Sequence, residues 1–238
     1  MKIGVFADAH YAHKEIAART RRPNLSLGKI KAAMDAFRKA NVDYCICMGD
    51  LVDANEDSNE DMVCVQEALN CIRSYGIPFV LVPGNHDYQS FTGEEWTSLI
   101  GQLPPYAIDA QTHRFVFLDA NYRSDFRRFD DAGVVWTDSN IPPEQIERLK
   151  ELLATSDLPC VVFVHENLDD SVEARHVIHN AADVRACIRS AENVRLVVQG
   201  HYHKGAESVI DGIPYKTIPA MCEGTENRFF IIPMEEYL

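Results

Sequence analysis

Positive charge is scarce in this sequence. Lys and Arg total 23 against 36 Asp and Glu, a formal net charge of −13 at pH 7. That balance argues against a general nucleic-acid or anionic-membrane binder, which presents a basic surface. It leaves room for a phosphate-containing substrate, because bound divalent cations reverse the sign locally. Long apolar runs are missing too. The N-terminal MKIGVFADAH offers only five apolar residues before Asp8. That is too short for the apolar region of a signal peptide and far too short for a membrane span. No later segment approaches a span, so a cytoplasmic protein is expected. No CxxC occurs among the seven cysteines, Cys45, Cys47, Cys64, Cys71, Cys160, Cys187 and Cys222. The count is odd and several sit in apolar runs such as YCICMG and PCVVFV. They read as small core residues in a reducing compartment. Gly/Ser or Pro-rich linkers, low-complexity tracts and short repeats are also absent. A single domain over residues 1–238 is expected.

What is present is ordinary for a globular chain: 238 residues, 46% apolar and 25% charged. Strand-like and helix-like runs alternate. KIGVFA, DYCICMG and PFVLV read as three buried strands. The run SLGKIKAAMDAFRKAN reads as a helix, with Ser26 as N-cap and Leu27, Ile30, Met34 and Phe37 at helical spacing. A second helix is expected from Asp61 to Tyr75, ending at Gly76. Strands near Tyr106–Asp109 and Arg114–Asp119 precede a polar, aromatic-bearing loop or cap at 121–140. PPEQIERLKELLATS reads as a helix with Pro143 in its first turn. PCVVFV, a helix near Asn180–Ala191 and VRLVVQG continue the alternation. Three short strands between Glu207 and Ile232 close it as a β-meander. The expected fold class is α/β, a sandwich with a mixed central sheet or two packed sheets.

The ligand-type residues fall at strand ends. Asp8 and His10 follow the first strand, Asp50 the second, Asn85 and His86 the third. His165 follows PCVVFV, and His201 and His203 follow VRLVVQ. In open α/β sheets the C-terminal strand edge is where ligands bind. Residues two apart on an extended chain point the same way, so Asp8 and His10 can aim at one site, as can His201 and His203. Gly49, Gly84 and Gly200 each precede a candidate and permit a sharp exit from the strand. Carboxylates, imidazoles and an amide oxygen without thiolate suit Mn, Fe, Zn or Ni. Seven ligands are too many for one ion and right for two sharing a carboxylate. Taken singly, each residue has a plain reading: Asp8 as a helix N-cap, Asp53 as a solvated loop residue, Asp87 bonding its own turn.

Together, DAH, GDLVD, GNHD, the His of FVHEN and GHYH, in this order, resemble the calcineurin-like metallophosphoesterases. The resemblance runs from Asp8 to His203. It implies a four-layer α/β sandwich with two mixed β-sheets flanked by helices, the metallo-dependent phosphatase fold, and a dinuclear centre of Mn, Fe or Zn. It further implies that Asp8, His10, Asp50 and His203 hold one metal, and Asp50, Asn85, His165 and His201 the other. His86 matches the family's catalytic histidine, which is not a ligand, and Asp53 the aspartate that orients it. Two metals about 3.5–4 Å apart can bind a phosphoryl oxygen, lower the pKa of a bridging water and hold it in line with phosphorus. His86 would then stabilise or protonate the leaving oxygen.

Departures from the pattern narrow the reading. Ser/Thr protein phosphatases of this superfamily carry GDxVDRG, and here GDLVDANE puts Ala54 at the Arg position. That argues against a protein phosphatase of that branch. RPNLSLGKIKAAMDAFRKANVDYCICMGDLVD, HVIHNAADVRACI and GHYHKG are similar to a group related to manganese-dependent ADP-ribose/CDP-alcohol diphosphatases, some of which carry Gln at the position of His10. The expected substrate is a small phosphodiester or nucleotide pyrophosphate. A phosphomonoester, or a scaffold that has lost catalysis, is the alternative. Arg19, Arg21, Arg22, Arg123, Arg127 and Arg128 are candidates for phosphate contact, though basic loop residues are more often solvated. Tyr122, Phe126, Phe129 and Trp136 either stack on a base or close the core, with the core favoured for most. His13, His113, His176 and His179 fit no motif and read as surface residues.

Overall fold

The computed structural model describes residues 1–18, 20–57 and 59–238. Strand β1 (Lys2–Phe6) is followed by α1 (Ser26–Ala40), β2 (Tyr44–Cys47), α2 (Asn59–Arg73) and β3 (Phe79–Leu81). Two short helices, α3 (Asp87–Ser90) and α4 (Gly93–Ile100), precede β4 (Tyr106–Ala110) and β5 (His113–Phe117). Then come α5 (Phe129–Ala132), α6 (Pro143–Ala154), β6 (Cys160–Phe163), α7 (Ala181–Ser190) and β7 (Val194–Gln199). The chain finishes with β8 (Ala206–Ile210), β9 (Ile213–Thr217) and β10 (Phe230–Pro233).

The strands form two mixed sheets, β10-β1-β2-β3 and β4-β5-β6-β7-β9-β8. Strands β1, β2 and β3 run parallel, as do β5, β6, β7 and β9. The sheets pack face to face, and the period of two along each strand sorts its side chains into layers. In and just after β2, Ile46 and Met48 point between the sheets, against Phe115, Phe163 and Val198. Cys45 and Cys47 point the other way, under Ile30, Met34 and Phe37 of α1 and Leu69 of α2. On the second sheet, Val162 and Val197 lie beneath Leu149 of α6 and Val184 of α7. Helix, sheet, sheet, helix is the four-layer sandwich expected. Each fully buried Phe or Ile in these layers contributes about 1.5–3 kcal/mol.

Several local expectations change. Ser26 is the first residue of α1, not its cap, and its buried hydroxyl donates to the Ala9 carbonyl. That bond ties the helix to the loop after β1. Helix α2 runs Asn59–Arg73 rather than from Asp61 to Tyr75. The tail is not a meander. Strands β8 and β9 form a hairpin, but β9 inserts beside β7 in parallel, and β10 crosses to the other sheet to pair antiparallel with β1. Segment 121–140 is pinned at its ends by a bridge between Asn121 and Asn140, and carries α5. Its Phe129 is buried with Tyr88 and Trp96, whereas Phe126 is exposed.

Candidate metal centre

The parallel strands place the ligand-type residues along one rim. Asp8 and His10 leave β1, Asp50 leaves β2, and Asn85 follows β3. His165 leaves β6, and His201 leaves β7. Backbone bonds then stitch the loops together. Asp8 N donates to Gly49 O at 3.0 Å, His10 N to Asp50 O at 2.8 Å, and Gly200 N to His165 O at 2.9 Å. The site therefore straddles both sheets.

Asp50 stands in the middle. Its Oδ2 lies 3.5 Å from His10 Nε2 on one side and 3.4 Å from His165 Nε2 on the other. Beyond His10, its Nε2 is 3.3 Å from His203 Nε2, and His203 Nε2 is 3.6 Å from Asp8 Oδ1. Beyond His165, the potential donor atoms of Asp50, His165 and His201 fall within 4.8 Å of one another. A further grouping of the same size joins His10, Asp50 and His86. Burial pushes the Asp50 carboxyl up, but the imidazoles of His165, His86 and His10 outweigh it and hold it well below the usual range. Burial, with positive neighbours added, lowers both His10 and His201, and His10 Nδ1 accepts from Arg21 Nη1 at 3.3 Å.

The donor set fits cations. Asp8 Oδ1, Asn85 Oδ1, His165 Nε2 and His201 Nε2 are all buried without a hydrogen-bond partner. Such orphaned atoms are rare and costly unless something else satisfies them. The second nitrogens are spoken for. His165 Nδ1 donates to Met48 O at 2.5 Å, and His203 Nδ1 to Glu223 Oε1 at 2.7 Å. These bonds orient both rings with Nε2 toward the centre. The backbone is strained here: Asp8, His10, Asp50 and His201 all have φ between 46° and 64°. Non-glycine residues seldom adopt that region, and such strain gathers at functional sites. Gly49 is left-handed as well, with φ of 93°. Gly84 and Gly200 are not. They supply room, since a Cβ on Gly84 would collide with Asp50 Oδ1, and one on Gly200 would sit 2.7 Å from Met48 O.

His86 lies beside this group. Its ring centroid is 4.5 Å from that of His10, its Nδ1 is 2.9 Å from Asp53 Oδ1, and it lines the cavity. Burial lowers His86, but Asp50 and Asp53 outweigh this and raise it above the ordinary imidazole value. Asp53 is buried, not solvated, and also lies 3.5 Å from Arg21 Nη1. Asp87 is fully buried beneath the loop. Its Oδ1 accepts from Leu51 N at 2.9 Å and Val52 N at 3.4 Å, and its Oδ2 from Gly84 N at 2.9 Å.

A cavity of about 680 Å³ opens over the centre, lined by Asp50, Asn85, His86, His201 and His203. Of the arginines expected near phosphate, Arg21 lines it. Arg22 donates to the Arg21 carbonyl, Arg123 to the Ala132 carbonyl, Arg127 to Asp125 and Arg128 to Asp130. Arg19 lies outside the described residues. Sequence reasoning gave no role to Arg175, Lys204, Glu223 and Arg228, which all line the cavity; of these only Lys204 falls in a quoted segment, GHYHKG. Two histidines read as surface residues are otherwise placed. His113 is buried and its Nε2 is 3.2 Å from Tyr237 O, and His176 lines the cavity 5.1 Å from the His201 ring. Burial, with Arg175 beside it, lowers His176 to about 4.

Known proteins share this architecture. A crystal structure of a dimetal phosphatase from Danio rerio superposes with a TM-score of 0.79 at 21% identity, over 97% of this chain and 91% of that one. At such identity the likeness shows the fold alone. A probable cyclic nucleotide phosphodiesterase of Psychrobacter arcticus is 24% identical over 81% of this chain and 67% of its own length. The 3',5'-cyclic adenosine monophosphate phosphodiesterase CpdA of Haemophilus influenzae is 24% identical over 76% of this chain and 61% of its own. The chain thus spans about two thirds of the length of these relatives. Among the described residues no helix is long and apolar enough to cross a membrane. The model of calcineurin-like phosphoesterases matches residues 1–205, so the chain belongs to that family and is a phosphoester-hydrolysing enzyme.

Proposed function

We propose that residues 1–238 act as one domain that hydrolyses small phosphodiesters or nucleotide pyrophosphates with two metal ions. Asp8, His10, Asp50 and His203 would hold one ion, and Asp50, Asn85, His165 and His201 the other, with Asp50 shared. The observation that carries this reading is the set of four buried, unpartnered atoms on Asp8, Asn85, His165 and His201. The position of Asp50 Oδ2 between His10 and His165 supports its sharing. Mn, Fe or Zn suit the donors. When bound, the ions supply Lewis-acid polarisation of the phosphoryl group and activate water.

The chain's own residues do the rest. His86 presents Nε2 to the cavity because Asp53 accepts its Nδ1–H. A protonated His86 stabilises charge on the leaving oxygen and then donates its proton there. Asp53 acts through His86, as a positioning residue. Arg21 brings a fixed positive charge to the same side of the cavity. The Asp8 and Asp50 carboxylates offset part of the ions' charge, leaving a net positive seat for an anionic ester. A cytoplasmic location goes with this reading, supported by seven free cysteines.

Rates on bis-p-nitrophenyl phosphate and p-nitrophenyl phosphate with Mn²⁺ test the substrate class. A strong preference for the monoester would replace the diesterase reading with a phosphomonoesterase. Metal analysis after supplementation tests the centre itself. Trace metal only, with no phosphoester hydrolysed, would leave a scaffold.

A further inference from the structure

The cavity wall is chemically divided. Beyond His201, three rings meet. Trp136 and His176 have centroids 5.3 Å apart, and His176 and Tyr202 are 5.2 Å apart. Trp136 is also 5.7 Å from the His201 ring, so this wall begins where the ligand-type residues end. All three rings are half-buried and line the cavity, while Arg21 and Arg228 line it too. Among the described residues the lining holds no aliphatic side chain larger than Ala18.

We propose that Trp136, His176 and Tyr202 form a subsite for the base of a nucleotide, with Arg21 and Arg228 facing its phosphate charge. The proposal rests on the phosphoester-hydrolase reading and gives that enzyme a preference for esters that carry a nucleobase. Three flat rings without aliphatic neighbours match a flat heterocycle, whereas an acyl chain needs branched or straight aliphatic walls. The guanidinium of Arg175 lies 5.8 Å from the Trp136 centroid and ion-pairs with Glu173 at 3.1 Å. Indole and guanidinium planes are the surfaces on which bases stack. Glu173 and Lys204 sit exposed at the rim, ion-paired with each other at 3.0 Å, and add polar groups of both signs beside the rings. Trp96, the second tryptophan, is fully buried in the core, which sets off the half-open position of Trp136.

The test uses the metal-loaded enzyme and two competitive inhibitors of bis-p-nitrophenyl phosphate hydrolysis, AMP and the base-less ribose 5-phosphate. In the native enzyme AMP should inhibit at a concentration roughly tenfold or more below ribose 5-phosphate, the fold expected of one stacked base. Trp136→Ala should erase most of that ratio while the inhibition constant of ribose 5-phosphate and the metal content stay as they were. Trp136→Phe should keep most of it, and His176→Ala gives a second variant should the first fail to fold. Equal inhibition by the two compounds in an enzyme that hydrolyses the diester would overturn the base subsite alone. Equal weakening of both inhibitors by Trp136→Ala, or loss of metal from it, would assign the wall to support of His201 and also overturn it. An enzyme that hydrolyses no phosphoester would remove the reading on which the subsite rests.

Discussion

His86 donates its Nδ1–H to Asp53 across 2.9 Å. In the proposed mechanism this pair serves catalysis and the neighbouring residues serve metal binding. His86→Ala should lower kcat by about 10²-fold or more, the range of a lost general acid, with the metal content unchanged. Loss of both ions from that variant would make His86 a ligand instead.

The same pair predicts a shift with pH. The Asp53 carboxylate favours protonated His86, so Asp53→Asn should lower the His86 pKa. If the proton on His86 is used, the rate falls as that proton is lost. The alkaline limb of the kcat profile should then move to lower pH in Asp53→Asn, with kcat down about tenfold. A limb that stays in place would detach Asp53 from the chemistry.

Asp50→Asn tests the shared carboxylate. Its Oδ2 lies within 3.5 Å of imidazole nitrogens on both sides. The variant should weaken both ions together in metal titrations, and selective loss of one would contradict the sharing.

How much of this was legible in the sequence depends on the range of the signal. The ligand-type residues stood out because short strands fix their neighbours' directions, and Asp8, Asp50, Asn85, His165 and His201 all follow strands. The layers were legible because strands buried on both faces read as unbroken apolar runs. Helix α4 was missed although Thr92 and Glu95 form its capping box, a pattern the sequence displays at i and i+3. The crossing of β10 to β1 could not be read, since nothing local in FIIP names its partner. Glu223 and Arg228 reach the cavity through that same tail, and His176 through a short 3-10 turn, Ala174–His176. Their placement is set by tertiary packing and not by a local period.

Glu223 offers a prediction from the unread part. It accepts from His203 Nδ1 at 2.7 Å, and that bond, above all, holds its carboxyl down at about 2. Glu223→Gln keeps the size but removes the charge that makes His203 a better donor. Metal affinity should fall roughly 10–100-fold, as for other partners of a metal-binding histidine. The acid sensitivity of the metal-free protein should change as well. A carboxyl depressed in the native state stabilises it above the unfolded value of about 4.3 and loses that stabilisation as pH falls toward 2. Stability measured by urea unfolding should therefore decline less steeply in Glu223→Gln over that interval. An unchanged slope and unchanged affinity would leave the contact without consequence.

Asp87 gives the last prediction, and it concerns stability alone. Its carboxylate collects the N–H groups of Leu51, Val52 and Gly84, so one side chain closes the loop after β2 onto the loop after β3. Asp87→Ala would leave these donors buried and unpaired, at about 1–3 kcal/mol for each well-formed bond. The bonds to Leu51 and Gly84 are both 2.9 Å and well formed, while that to Val52 is 3.4 Å and contributes less. A loss of roughly 3 kcal/mol in urea unfolding follows. Asp87→Asn should lose less, because its amide oxygen can still accept from Leu51 and Val52. Its Nδ2 must then face the Gly84 N–H, donor against donor, and Gly84 sits beside Asp50 with no room to retreat. The order Asp87, Asn, Ala in stability is the expected result. Equal stability of Asp87→Ala and the native protein would show that solvent reaches these donors and that the loop is held elsewhere.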